Sequence, residues 1–136
     1  MGLVPALKYL IRPVHESEKL SVRFTYDEER RYNSQTETSL YRIISELLNN
    51  TLKHAKARSV VISLSHNYNN NQITLIYTDD GKGFNLNQVL ENKKGMGLSN
   101  IMQRVATLSG LINIDTDEGK PLTVRIELPI INESQI

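Results

Sequence analysis

The stretch from about Thr36 to Ala55 limits the fold more than any other. Leu40, Ile43, Ile44, Leu47, Leu48, Leu52 and Ala55 recur three and four residues apart, which spreads a broad apolar face along one side of a long helix. A face that wide needs a flat partner, and the chain supplies strands to make one. Leu20 to Tyr26 alternates Leu20, Val22, Phe24 and Tyr26 with Ser21, Arg23 and Thr25, the period-two pattern of a half-buried strand. Ser59–Ser65, Gln72–Thr78, Leu111–Asp115 and Leu122–Leu128 read as strands too. Asn67 to Asn71 suits a hairpin turn, because Asn tolerates positive φ.

Other segments complete the order. Ser34 or Thr36 is available to cap the long helix. Leu98, Ile101, Met102, Val105 and Leu108 give a second amphipathic helix over Gly97–Ser109, with Gly110 as its C′ residue. Residues 3–11 carry helical spacing that stops at Pro13 and read as the tail of a helix. Residues 85–94 are polar and read as a mobile loop with room for one helical turn, and the tail after Pro129 is expected to fray. The order β, α, β, β, loop, α, β, β predicts an α/β two-layer sandwich: a mixed, mostly antiparallel sheet with helices on one face.

Composition narrows the function. The 136 residues suffice for one core, and no apolar run approaches the length of a membrane span. The N-terminus does not read as a signal peptide. The absence of cysteine excludes a disulfide framework and thiolate metal sites and suits a reducing cytosol. A net charge of +1 with interspersed signs, and no Trp, argue against a nucleic-acid surface.

Three segments carry chemistry. Glu46, Asn50 and Lys53 stand at i, i+4 and i+7 on the long helix, with His54 beside them. A carboxylate, an amide and two cationic groups in a row suit a Mg²⁺-bound polyphosphate. A solvated helix face with an internal Glu–Lys pair accounts for the same residues. Asp79-Asp80-Gly81-Lys82-Gly83 follows an apolar strand, and an acid held there beside Ile76 and Phe84 can accept from an exocyclic amine such as that of adenine. A plain Asp-Gly turn is the competing explanation. Gly95-Met96-Gly97-Leu98 opens a helix whose backbone N–H groups can face an anion, although helix-start flexibility asks for the same glycines. Neither a Walker loop nor a dinucleotide-binding fingerprint occurs in the chain.

In this order, from about Leu20 to Pro129, the segments resemble the ATP-binding catalytic domain of sensor histidine kinases, in the superfamily shared with DNA gyrase B, HSP90 and MutL. Glu46 through Ala55 is similar to the N box, Asp79 through Phe84 to the G1 box and Gly95 to Leu98 to the G2 box. The ending Leu52-Lys-His-Ala55 and the short stretch between the glycine boxes resemble the subgroup of nitrate-responsive and lipid-fluidity sensors. The resemblance implies a Bergerat-type fold binding ATP and Mg²⁺. It implies that Asn50 coordinates Mg²⁺, with Glu46 reaching it through water, and that Lys53 and His54 contact phosphate. Asp79 would bond the adenine amino group, and Gly81 and Gly83 would shape the purine slot. Gly95, Gly97 and Leu98 would form the lid hinge, and Thr123 would lie near the adenine and Asp79. Glu46 is also the candidate catalytic residue, its role left open between water activation, as in the related ATPases, and Mg²⁺ binding.

The resemblance further implies that residues 1–16 end a dimerisation helix and that 17–136 form the catalytic domain. No phosphoacceptor setting surrounds His15 or His66. The acceptor histidine is therefore expected on a dimerisation domain outside this chain, with a response regulator as the next partner. The isolated domain is expected to be a cytosolic monomer, not membrane-spanning and without nucleic-acid partners. The turn Gly119-Lys-Pro-Leu-Thr123 lacks the second glycine usual in the family. A related ATPase, an anti-sigma-type serine kinase and a non-catalytic nucleotide-binding module are the alternatives.

Overall fold

The structure, a computed structural model, describes residues 2–92 and 97–130. Its elements run α1 (Leu3–Glu16), β1 (Ser21–Tyr26), α2 (Ser34–Asn50, continued as a π-helical turn Thr51–Ala55), β2 (Ser59–Asn67) and β3 (Gln72–Asp79). α3 (Leu86–Glu91), α4 (Leu98–Thr107), β4 (Leu111–Asp115) and β5 (Leu122–Pro129) follow. The five strands form one sheet in the order β1-β2-β3-β5-β4. β1 runs parallel to β2, and every other pairing is antiparallel. This is the expected two-layer α/β arrangement.

The core lies between one sheet face and the helices. Leu40, Ile43, Ile44, Leu47 and Leu48 of α2 are buried with Val60, Ile62, Leu64, Leu75, Tyr77, Val124 and Ile126 of the sheet. Each such side chain contributes about 1.5–3 kcal/mol on leaving water, so α2 is held mainly by this face. Its start is capped by Asn33, whose Oδ1 accepts from the Thr36 N–H at 2.8 Å. Ser34 and Thr36 therefore lie inside the helix. The buried Glu37 carboxylate accepts from the Arg31 guanidinium at 3.1 and 3.2 Å and from the Tyr32 N–H at 3.2 Å, which ties the preceding loop to the first turn.

The structure differs from the sequence expectations at several places. α1 passes through Pro13 to Glu16 and buries Leu3, Val4, Leu7 and Ile11. Proline removes only the N–H that would meet the Tyr9 carbonyl, and Tyr9 stands on the open side of the helix. The Val22 N–H donates to His15 Nδ1 at 3.1 Å, joining α1 to β1. Residues 86–91 form a helix capped by Asn85, whose Oδ1 accepts from the Gln88 N–H at 3.0 Å. At the end of α4 it is Ser109, with φ +58°, that turns left-handed. Gly110 N–H then reaches the Val105 carbonyl at 2.9 Å, as in a Schellman cap. Gly110 is glycine for another reason: a Cβ there would collide with Leu128 and the Glu127 carbonyl. The tail beyond Ile130 lies outside the described residues. No helix among the described residues is long and apolar enough to cross a membrane.

Candidate functional site

The C-terminal end of α2 stands over the ends of β3 and β5, and between them opens a cleft of about 460 Å³, within the usual range for small-molecule sites. Asp79 forms its floor with Thr51, Leu47 and Leu122, while Phe84, Val89 and Asn92 close one side. Asn50, Lys53 and His54 stand at the mouth. They also line an adjoining, more open cleft with Tyr41, Arg42, Glu46, Gly97 and Arg104.

Asp79 is 2% exposed, and both its oxygens are held. Oδ1 accepts the Gly81 N–H at 2.9 Å and Oδ2 accepts the Thr51 hydroxyl at 2.9 Å. With the Thr51 proton on Asp79, the Tyr77 hydroxyl donates to Thr51 Oγ1 at 2.6 Å and shares the same proton with the Leu47 carbonyl at 3.1 Å. Burial pushes the Tyr77 phenol far above its ordinary range, so it stays neutral, with Thr51 opposing and Asp79 reinforcing the shift. The same contact accounts for the local helix geometry. The Leu47 carbonyl receives both the Thr51 N–H and the Tyr77 hydroxyl, and the helix widens into its π turn from that point.

The neighbouring acid has a different task. Asp80 Oδ1 accepts the Arg58 and Ser59 N–H groups at 2.8 and 3.0 Å, and Oδ2 accepts the Ser59 hydroxyl at 3.0 Å. These bonds, led by the one from the Ser59 N–H, hold its carboxyl below the ordinary range. Asp80 clamps the start of β2, whereas Asp79 faces the cleft.

The glycines of this turn are required by close approach. Gly81 packs against Ala55, whose carbonyl accepts the Lys82 N–H at 2.8 Å. Gly83 has φ +66°, and the Asp117 and Lys120 carbonyls leave no room for a side chain. The Gly119 N–H donates to the Lys82 carbonyl at 2.7 Å, locking the β4–β5 turn onto the Asp79 loop. Gly97, with φ +65°, begins α4 against the Glu46 carboxyl.

The structure thus brings Asn50, Lys53, His54, Asp79, Gly83 and Leu98 to one cleft and Glu46 and Gly97 to the adjoining one. Gly95 lies outside the described residues. Thr123 requires a correction, because Leu122 is the register partner of Asp79 and lines the cleft. Thr123 is the next residue of β5 and projects to the opposite sheet face. The buried alternation of Leu122, Val124, Ile126 and Leu128 is the signal that puts Leu122, and not Thr123, on the inner face. Ile76 likewise points away from Asp79, and Leu47, Leu98 and Leu122 supply the apolar surroundings instead. The sequence reading also missed Thr51, Tyr77 and Val89. Thr51, 3% exposed, takes the inward position assigned to Leu52, which is 43% exposed.

The donor set limits what a metal can do here. Among the described residues no three His, Cys, Asp or Glu side chains cluster as metal ligands. A cation at the mouth must therefore bring ligands with its substrate, as Mg²⁺ does on polyphosphates, and the oxygens of Asn50 and Glu46 fit that partial role.

Comparison with known proteins agrees with this geometry. The family described as histidine kinase-, DNA gyrase B-, and HSP90-like ATPase matches residues 35–132. The chain is 37% identical over 131 residues to the sensor histidine kinase ComP of Bacillus subtilis, covering 96% of this chain and 17% of that protein. It is 33% identical over 134 residues to the signal transduction histidine-protein kinase/phosphatase DegS of Brevibacillus brevis, covering 98% and 34%. The chain therefore spans about a third or less of the length of these relatives. In fold it is similar to the histidine kinase domain of the blue-light activated kinase of Erythrobacter litoralis, with a TM-score of 0.74 at 20% identity over 96% of this chain and 66% of that one. With the family model covering most of its length on a matching fold, the chain belongs to the histidine kinase-, DNA gyrase B- and HSP90-like ATPase family.

Proposed function

We propose that this chain is the nucleotide-binding catalytic domain of a sensor histidine kinase. It delivers the γ-phosphoryl of ATP to a histidine on a dimerisation domain, for relay to a response regulator. The observation that carries the reading is Asp79: a buried carboxylate with each oxygen already accepting one bond, at the floor of a cleft where Leu47, Leu98 and Leu122 also stand. Its remaining lone pairs accept but cannot donate, so the floor favours a ligand edge that presents an amine, as adenine does.

The ribose and phosphates then run toward Asn50, Lys53 and His54. Mg²⁺, when bound, neutralises charge on the phosphate oxygens, and Asn50, with Glu46 through water, is its protein partner. Lys53 and His54 supply cationic contacts to phosphate. Leu98 and Val89 narrow the cleft and limit water. Gly95 and Gly97 serve as the lid hinge. Phosphoryl transfer asks a protein mainly for alignment and charge neutralisation, and the exposed mouth leaves room for an acceptor to approach. In the complete protein, residues 1–16 continue from the dimerisation helix and 17–136 form the catalytic domain, a cytosolic monomer when isolated.

Mixing the chain with Mg²⁺ and γ-labelled ATP, with and without the histidine-bearing helical hairpin of the same kinase, tests this. The expected result is acid-labile label on the hairpin and none on the chain alone. Rapid phosphate release by the chain alone points to an ATPase, and acid-stable label on an added protein points to a serine kinase. Either outcome overturns the reading.

A further inference from the structure

We infer that Thr51 is a positioning residue for base recognition: its hydroxyl fixes the plane of the Asp79 carboxylate, so that ATP selectivity depends on a side chain that need not touch the nucleotide. The inference rests on the adenine-binding role proposed for Asp79.

The terminal torsion of an aspartate is broad and roughly two-fold, so a single hydrogen bond to one oxygen restrains the carboxylate plane only weakly. Here the two oxygens are tied by two different elements. The Gly81 N–H in the turn after β3 holds Oδ1, and the Thr51 hydroxyl at the end of α2 holds Oδ2, each at 2.9 Å. Thr51 is itself fixed. It is β-branched and so stiff at χ1, it is 3% exposed, and its oxygen lies 2.6 Å from the wholly buried Tyr77 hydroxyl. The α-to-π transition at Thr51 places it there, while the next residue, Leu52, turns outward. With one lone pair of each oxygen occupied, the directions left for a ligand are set before it arrives. An exocyclic amine in that direction gains a charge-assisted bond. A carbonyl oxygen there meets a carboxylate that cannot rotate away, which disfavours 6-oxopurines.

A pair of ligands separates this role from general support of the fold. ATP carries the 6-amino group, and purine riboside triphosphate has hydrogen in its place. Titrating both into the chain with Mg²⁺ gives an affinity ratio for each variant, with circular dichroism confirming the fold. Thr51→Val removes the donor at nearly constant shape and is expected to weaken ATP about tenfold while changing the analogue less than twofold. Thr51→Ala carries the same comparison without a methyl against the Tyr77 hydroxyl. Thr51→Ser restores the donor and is expected to keep the wild-type ratio within twofold. Tyr77→Phe leaves the Thr51–Asp79 bond in place and is also expected to retain most of the ratio. Equal weakening of both ligands in Thr51→Val, or loss of the ratio in Thr51→Ser, overturns the inference. Asp79→Asn serves as the separate check: if it leaves ATP affinity unchanged, the adenine reading itself has failed rather than the role of Thr51.

Discussion

The floor and the mouth of the cleft are built on opposite plans. At the floor, Thr51, Tyr77 and Asp79 are each at most 3% exposed and joined by hydrogen bonds between α2 and β3. At the mouth, Lys53 and His54 project into solvent from the last turn of the same helix, within three residues of Thr51. A buried polar network is costly when incomplete and rigid when satisfied, so the floor can discriminate between ligands only because it is finished beforehand. Exposed cations attract phosphate without needing a fixed geometry. Under the proposed function, selectivity belongs to the floor and charge neutralisation to the mouth.

That division can be broken at several points. The largest effect is expected at Asp79. Removing one partner from a buried charged hydrogen-bond site costs about 2–5 kcal/mol, so Asp79→Asn should weaken ATP roughly 30-fold or more in calorimetric titration. Equal ATP affinity in the variant would remove the floor from recognition altogether. Next comes Gly83→Ala. A left-handed Cβ costs about 1–2 kcal/mol, and crowding against the Asp117 and Lys120 carbonyls adds overpacking strain of about 1–3 kcal/mol. Urea denaturation should show a loss near 3 kcal/mol. Gly119→Ala, with φ +80° but nothing within 4 Å, should lose only about 1–2 kcal/mol.

At the mouth, Lys53→Ala should reduce ATP affinity by roughly fivefold at low salt, about 1 kcal/mol. The deficit should shrink as salt is added, and unfolding should shift by no more than about 0.5 kcal/mol. A large loss of stability would show that the mouth is as structural as the floor. The smallest effect concerns Asp80. Its folded carboxyl titrates below the ordinary value of about 3.9. The stability it contributes is therefore present above that value and lost as pH falls through the folded one. Asp80→Asn should flatten the dependence of the melting temperature on pH below about 4 and leave nucleotide affinity unchanged. An unaltered acid limb would mean that the clamp on Arg58 and Ser59 does not contribute.

What could be read from the sequence follows the same line. Apolar periodicity located α2, β2, β3 and β5, because burial of Leu40, Ile44, Ile62, Leu75 and Val124 outweighs local preference. It was blind where polar groups are buried. Thr51 interrupts the apolar series yet turns inward, since its hydroxyl meets Asp79. Leu52 fits the series and turns outward because the helix widens beside Tyr77. Pro13 was read as a stop, although a helix loses only one bond there and Leu7 and Ile11 hold it in place. α3 is short and has no fully buried residue, so periodicity gave no sign of it. In the site, Asp79 and the glycines stood out by residue type, while Leu122 needed the β5 register, a property of the sheet rather than of the turn sequence.

The central claim is that the finished floor selects adenine and the open mouth takes the metal-bound phosphates. Calorimetric titration of the chain with ATP and GTP, each with Mg²⁺ and with EDTA, tests it directly. The account predicts saturable ATP binding that Mg²⁺ strengthens, and GTP binding weaker by at least tenfold. Equal affinity for the two nucleotides, or no saturable ATP binding in Mg²⁺, would contradict it.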